Sequence, residues 1–297
     1  MTDQISFDAI LPKDMAIKAE ALGVKKAGLE ASKMFVLAVL AGAFISMGAI
    51  FATTVAAGSM PIKDPGGVLV FSTGFPYGVI RLLMGLVFSI GLILVVVGGA
   101  ELFTGNTLII MAFASRKITL VHLMRNWSIV YFGNFIGSIM TAYIMFLSKQ
   151  YLFGGGTVGL TALGIGEAKT SLEFVQAVAL GIMCNALVCL GVWMSYSARS
   201  TTDKIMAVTL PVACFIAAGF EHSVANMYYI PFALLVKNFG DPKLFEMIGK
   251  TAADFPHLTW SNFFIVNLLP VTIGNIIGGA IMVGMIYWFV YIHSADK

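Results

Sequence analysis

The chain has 297 residues, of which 59% are hydrophobic and only 11% charged, where soluble proteins carry about a quarter charged residues. With a mean hydropathy of +0.91 it reads as a polytopic membrane protein. A formal charge of +3, scattered along the chain, excludes a nucleic-acid-binding surface and leaves only the placement of the charges informative.

Residues 1–33 are polar and carry five lysines, Lys13 to Lys33, without the short apolar core and cleavage site of a signal peptide. They are expected to form a cytoplasmic N-terminal segment, either a helix on the membrane surface starting near Pro12 or a solvated tail. A helix needs about 20 apolar residues to cross the hydrocarbon core. Six segments qualify: 34–57, 80–113, 127–147, 174–197, 205–236 and 262–292. With the N-terminus inside, eleven Lys and Arg fall on that side and seven on the other, which predicts cytoplasmic termini. Cys184, Cys189 and Cys214 lie in apolar runs with no CxxC pair or His/Cys cluster. They are expected to be buried packing residues, with no metal or cofactor.

The second and fifth segments are long, and each holds an interruption: Gly99-Ala-Glu101-Leu-Phe-Thr104-Gly-Asn106 and Gly219-Phe-Glu221-His222-Ser-Val-Ala-Asn226. Both follow Gly-x-Glu-x-x-x-x-Asn, which predicts two half-helices joined by unwound backbone. At membrane depth such backbone is tolerated only where protein buries it or it lines a cavity. Segments three and six repeat Gly133-Asn134-x-x-Gly137 as Gly274-Asn275-x-x-Gly278, and segments one and four share a weaker match, Ala38 to Gly42 with Ala177 to Gly181. The predicted fold is therefore all-α, with a first repeat over 34–148 and a second over 172–292. Three spans per repeat is an odd number, so the second repeat is inverted and binding is expected near the midplane. Gly42, Gly133, Gly137, Gly274, Gly278 and Gly279 are expected to let helices pack closely.

Glu101, Glu221 and His222 are the ionisable groups deep in apolar segments, where charge costs about 2.5–3.5 kcal/mol on insertion scales. The glutamates recur in both halves. They are read, with Asn106 and Asn226, as structural: each carboxylate accepts from exposed backbone N–H groups and holds the break. His222 has Leu102 as its counterpart, and this asymmetry makes it the functional candidate. An imidazole can bind a small anion and exchange a proton with it. Thr104 adds a hydroxyl and Asn185 an amide, while Phe88, Leu92, Leu102, Phe103, Val188 and Phe215 supply apolar constrictions that exclude hydrated ions.

The strings Gly99 to Thr104, Val192 to Ser197, Gly219 to Met227 and Leu269 to Gly279 closely resemble the formate/nitrite transporter family, across essentially all six segments. The resemblance implies a homopentamer of aquaporin-like six-helix protomers in the bacterial inner membrane, each with its own pore and both termini cytoplasmic. No Asn-Pro-Ala box is present, which argues against a water channel. His222 is similar to the family's central pore histidine, Thr104 to the threonine on the mobile loop, and Asn185 to the pore asparagine. Leu92, Leu102, Phe103, Val188 and Phe215, joined by Phe88, match constriction positions, and Lys169 matches a vestibular lysine that attracts the anion. Lys169 lacks the neighbouring histidines of formate channels, and Gly105-Asn106 resembles nitrite-type members, while the C-terminal string fits the formate type. The expected function is passive or proton-coupled transport of a small monovalent weak-acid anion, formate, with nitrite, hydrosulfide or another short carboxylate as alternatives. Expected partners are that anion, membrane lipid and further copies of the chain. A rival from another class, an intramembrane enzyme using His222 and Glu221 as an acid/base pair, lacks a nucleophile or metal motif.

Overall fold

Among the described residues, six helices are long and apolar enough to cross a membrane. The computed structural model describes residues 9–59, 62–63, 69–71 and 75–293; residues 1–8 and the charge counted at Lys297 lie outside them. Helix α1 (Pro12–Ala27) begins with Pro at its first turn, where the missing N–H is no loss. The spans follow as α2 (Ala31–Ala56) and α3 (Tyr77–Gly98), separated by a two-stranded antiparallel ribbon of β1 (Ile62–Lys63) and β2 (Leu69–Phe71). After the first break come α4 (Phe103–Asn106), a 3-10 turn (Thr107–Ile109) and α5 (Ile110–Ala114). Next are α6 (Leu120–Leu147), α7 (Thr157–Thr170), α8 (Phe174–Ser197) and α9 (Thr201–Ala218), then the second break and α10 (Ser223–Phe239). The short α11 (Pro242–Ile248) precedes the last span, Trp260–Tyr291.

That last span holds two π-helical stretches, Phe263–Leu268 and Ile277–Met285. Pro270 lies two residues beyond the first of them, and it has no N–H to continue a regular ladder.

The expected segments are all present, and the second and fifth are divided as the Gly-x-Glu strings predict. Two elements differ from the sequence reading. Helix α7 occupies what the hydropathy left as a connection, and it packs along α10, with Gly166 facing Ala233. Helix α1 is neither a solvated tail nor a free surface helix. Its Met15, Ala16 and Ala19 pack with Met111 and Trp193, and a Cβ on Gly23 would stand 3.0 Å from that of Ala112. The apolar stripe of α1 therefore meets protein. Glu20, on the same helix, is buried and ion-paired to Lys117. Of the cysteines, Cys184 and Cys189 are buried, but Cys214 is exposed on the outer face of α9, a correction to the reading of all three as core.

The repeat is visible in packing. Helix α2 lies on α6 as α8 lies on the last span. At both contacts the backbones touch through glycine: Gly42 and Gly137 face Asn134 and Val39 backbone, and Gly274 and Gly278 face Val178 and Ile182 backbone. A methyl group at Gly278 would collide with the Ile182 carbonyl, which cannot rotate away. Gly278→Ala is therefore expected to cost about 1–3 kcal/mol by overpacking, read as a lowered thermal midpoint in detergent. An unchanged midpoint would show that the two helices separate freely.

Candidate functional site

Each break begins with a glycine in the left-handed region, Gly99 at φ +76° and Gly219 at φ +78°, which ends α3 and α9 without the steric penalty a Cβ would bring. Three residues of unwound backbone follow, and their polar groups are satisfied in matching ways. Glu101 N–H donates to Leu37 O at 3.2 Å and Glu221 N–H to Leu180 O at 3.3 Å. Asn134 donates to Ala38 O and Glu101 O and accepts from Phe103 N–H at 2.9 Å. Asn275 donates to Gly181 O and Glu221 O and accepts from Ser223 N–H at 2.9 Å. These two asparagines, each next to a glycine in the repeated Gly-Asn string, are the residues that close the backbone gaps. Sequence reasoning saw the repeat but not the role. Asn275→Ala strands a buried donor and two acceptors, so a loss of about 1–3 kcal/mol is expected, with faster amide exchange at Ser223. Wild-type protection there would refute the capping role.

The glutamates hold the breaks through side chains, not through backbone N–H groups as expected. Glu101 accepts from Lys26 Nζ at 2.8 Å and Asn106 Nδ2 at 2.7 Å. Asn106 also donates to Asn126 Oδ1 at 2.9 Å and accepts from Lys26. Glu221 accepts from Lys169 Nζ at 2.6 Å, Asn226 Nδ2 at 2.6 Å and Asn267 Nδ2 at 3.1 Å, and Asn226 donates to Asn267 Oδ1 at 2.7 Å. Each half thus gathers one buried carboxylate, one partly buried ammonium and two buried amides. Lys169 is consequently not a free vestibular cation. Its charge is paired, and its Nζ lies 5.6 Å from the Tyr229 ring centroid.

His222 and Thr104 meet where the two breaks approach. Thr104 Oγ1 lies 2.9 Å from His222 Nε2, and both residues are buried. The Ala225 N–H donates to His222 Nδ1 at 3.0 Å, which caps α10. A backbone N–H can only donate, so Nδ1 is the acceptor nitrogen and the proton of the neutral ring sits on Nε2, directed at Thr104. Leu102, the counterpart of His222, gives α4 no side-chain cap. The Thr104 carbonyl is itself held, accepting from Thr107 Oγ1 at 2.6 Å, Asn185 Nδ2 at 3.2 Å and Cys189 Sγ at 3.4 Å. Asn185 also donates to Asn275 O at 2.7 Å, so its amide ties the first break to the last span. A side chain at Gly279 would collide with Thr107 and Asn185.

Around the His222 ring, Ile45, Phe88, Leu92, Leu102, Val188, Val212 and Phe215 form an apolar constriction with no space for a water molecule. Phe215 stacks on His222 with ring centroids 5.9 Å apart, and Phe88 meets Phe215 edge-on at 5.8 Å. Ile45 and Val212 were not anticipated, since nothing distinguishes them from other core aliphatics in sequence. Phe103 is a correction: it is absent from this wall and packs against Tyr131 and Trp127 at 4.8 and 6.2 Å. On the α1 side of the constriction lies a vestibule of about 480 Å³, lined by α1 and the end of α3, with Leu92 and Leu102 common to both spaces.

Six spans, two half-helices meeting at a buried His–Thr pair, and an apolar wall below a vestibule define a membrane channel or transporter. The formate/nitrite transporter family model matches residues 13–289. The chain is 45% identical to the formate channel FocA of Escherichia coli over 98% of its own length and 97% of that protein, and 38% identical to FocA of Haemophilus influenzae over 95% of each. A solved pentameric formate channel with formate bound superposes with a TM-score of 0.80 at 47% identity, over 88% of this chain and 98% of that one. A second, an FNT family ion channel, gives 0.72 at 28% identity, over 93% of this chain and 98% of that one. The chain belongs to the formate/nitrite transporter family.

Proposed function

We propose that the protein transports a small monovalent weak-acid anion, formate, across the bacterial inner membrane, as a homopentamer with both termini cytoplasmic. The observation that carries this reading is His222 Nε2 facing Thr104 Oγ1 inside an apolar constriction. A bare anion there meets no water and pays the desolvation cost of a charge, whereas the neutral acid crosses more easily. In this scheme a proton from the aqueous vestibule enters at Nδ1, which releases the Ala225 N–H, and the resulting imidazolium gives its Nε2 proton to a carboxylate oxygen, so that formic acid and neutral imidazole result. Thr104 orients the ring and the anion, and Asn185 holds the Thr104 carbonyl in place. Phe88, Leu92, Leu102, Val188 and Phe215 form the barrier that makes the proton matter. Lys169 and Glu221 together keep the second break neutral, so Lys169 contributes to anion attraction less than an unpaired lysine would. Glu221 is engaged by Lys169, Asn226 and Asn267, while His222 is engaged by Thr104 and the Ala225 N–H, which argues against the acid/base pair an intramembrane enzyme would need. The relatives named above are channels as well.

Passive and proton-coupled operation differ in the fate of the proton. Proteoliposomes loaded with a pH dye and challenged with formate, nitrite, hydrosulfide and acetate, with pH varied on each side, address both substrate and coupling. Formate flux faster than that of the other anions supports the reading. A clear preference for nitrite or hydrosulfide reassigns the substrate, and no flux of any of them refutes transport.

A further inference from the structure

The vestibule beneath α1 is larger and more positive than passage of an anion as small as formate requires. Its volume of about 480 Å³ falls within the roughly 300–1,000 Å³ of small-molecule sites, far above the space of a water-sized solute, about 30 Å³. Lys18, Lys25, Lys26 and Lys204 line it, and Glu101 is the one carboxylate among the described lining residues. That carboxylate is already engaged by Lys26 and Asn106, so the remaining lysines give the space a net positive charge. Lys18 donates to the Tyr196 carbonyl at 2.8 Å, which holds its ammonium at the wall. Burial, then the nearby charges of Lys204 and Arg199, push Lys18 below its ordinary range, as expected for like charges gathered in one place. The floor is Leu92 and Leu102, shared with the constriction around His222. An anion too large or too highly charged to cross that floor stops above it.

We propose that this vestibule binds multivalent organic anions, di- and tricarboxylates, through Lys18, Lys25 and Lys204, and that such an anion plugs the pathway from the α1 side; the proposal rests on the transport reading above. The selectivity is electrostatic. At a vestibule potential of about one thermal unit, a monovalent anion is enriched about 3-fold and a trivalent one about 20-fold. The substrate therefore enters and leaves while the trivalent anion stays. Lys26 is not part of the proposed site, because it holds Glu101.

The test uses proteoliposomes with the α1 face outward, formate as the transported anion, citrate as the probe, pH 7.5 and constant ionic strength. Citrate on the α1 face is expected to inhibit formate flux, and citrate on the opposite face is not. The triple substitution Lys18→Gln, Lys25→Gln, Lys204→Gln is expected to raise the half-inhibiting concentration by at least about 10-fold, given the enrichment it removes. Titration calorimetry of citrate into the purified protein supplies a readout independent of flux, with heat in the wild type that the triple variant loses. Equal inhibition from both faces, equal inhibition of the variant, or no citrate heat overturns the proposal. Absence of formate flux without citrate would refute the transport reading instead, and the calorimetry would still decide whether the vestibule binds the anion.

Discussion

Replacing His222 with Phe is expected to lower formate flux through proteoliposomes by about 100-fold at neutral pH and to flatten its pH dependence. The magnitude follows from the barrier the ring is proposed to remove. Placing a charge at membrane depth costs about 2.5–3.5 kcal/mol on insertion scales, and each 1.4 kcal/mol or so is about a factor of ten in rate. Phenylalanine keeps the stacking on Phe215 and fills the space, but it carries no proton. It also leaves the Ala225 N–H and the Thr104 hydroxyl without their partner, so folding must be checked. A monodisperse pentamer-sized peak with a melting transition near that of the wild type is the control. With that control in hand, wild-type flux with wild-type pH dependence would sink the proton-transfer role, and His222 would then be a helix cap alone.

The second large effect lies on the other side of the same break. Glu221→Ala should leave Lys169 with no counter-ion and take one acceptor each from Asn226 and Asn267, and breaking a buried pair by removing one partner costs about 3–5 kcal/mol. The variant is expected to aggregate on extraction or to melt well below the wild type. Removing both charges together, Lys169→Met with Glu221→Met, should recover much of the loss, because an apolar pair of similar volume can replace a buried ion pair. Glu101→Ala should cost less than Glu221→Ala. The Lys26 side chain is 28% exposed against 16% for Lys169, so water can solvate the stranded ammonium more fully. Wild-type stability of Glu221→Ala, measured by thermal unfolding in detergent, would show that the carboxylate does not hold the break.

The asymmetry between halves has a structural expression beyond His222 and Leu102. Helix α10 runs unbroken from Ser223 to Phe239, packed between α6 and α7. The corresponding stretch after Thr104 is divided into α4, a 3-10 turn and α5. The less regular half-helix carries the hydroxyl and the more regular one carries the ring. Thr107, Asn185 and Cys189 compensate by fixing the Thr104 carbonyl, so that an irregular segment still presents its side chain at 2.9 Å from Nε2.

Six apolar runs, two Gly-x-Glu interruptions and the recurrence of Gly-Asn strings were legible in the sequence by itself. So was the contrast between His222 and Leu102. These features are local or periodic: span length follows from hydrocarbon thickness, a break from glycine beside a charge, and a repeat from self-similarity. Only the tertiary structure decided the partners. Lys26 reaches Glu101 from α1, Lys169 reaches Glu221 from a helix that hydropathy does not reveal, and Asn134 and Asn275 cap half-helices from other spans. It also turned Phe103 away from the constriction, brought Ile45 and Val212 into it, and left Cys214 outside the core. An apolar helix looks alike on every face in sequence, so the direction of each side chain depends on how the helix is rotated against its neighbours, and that rotation is set by packing across the whole bundle.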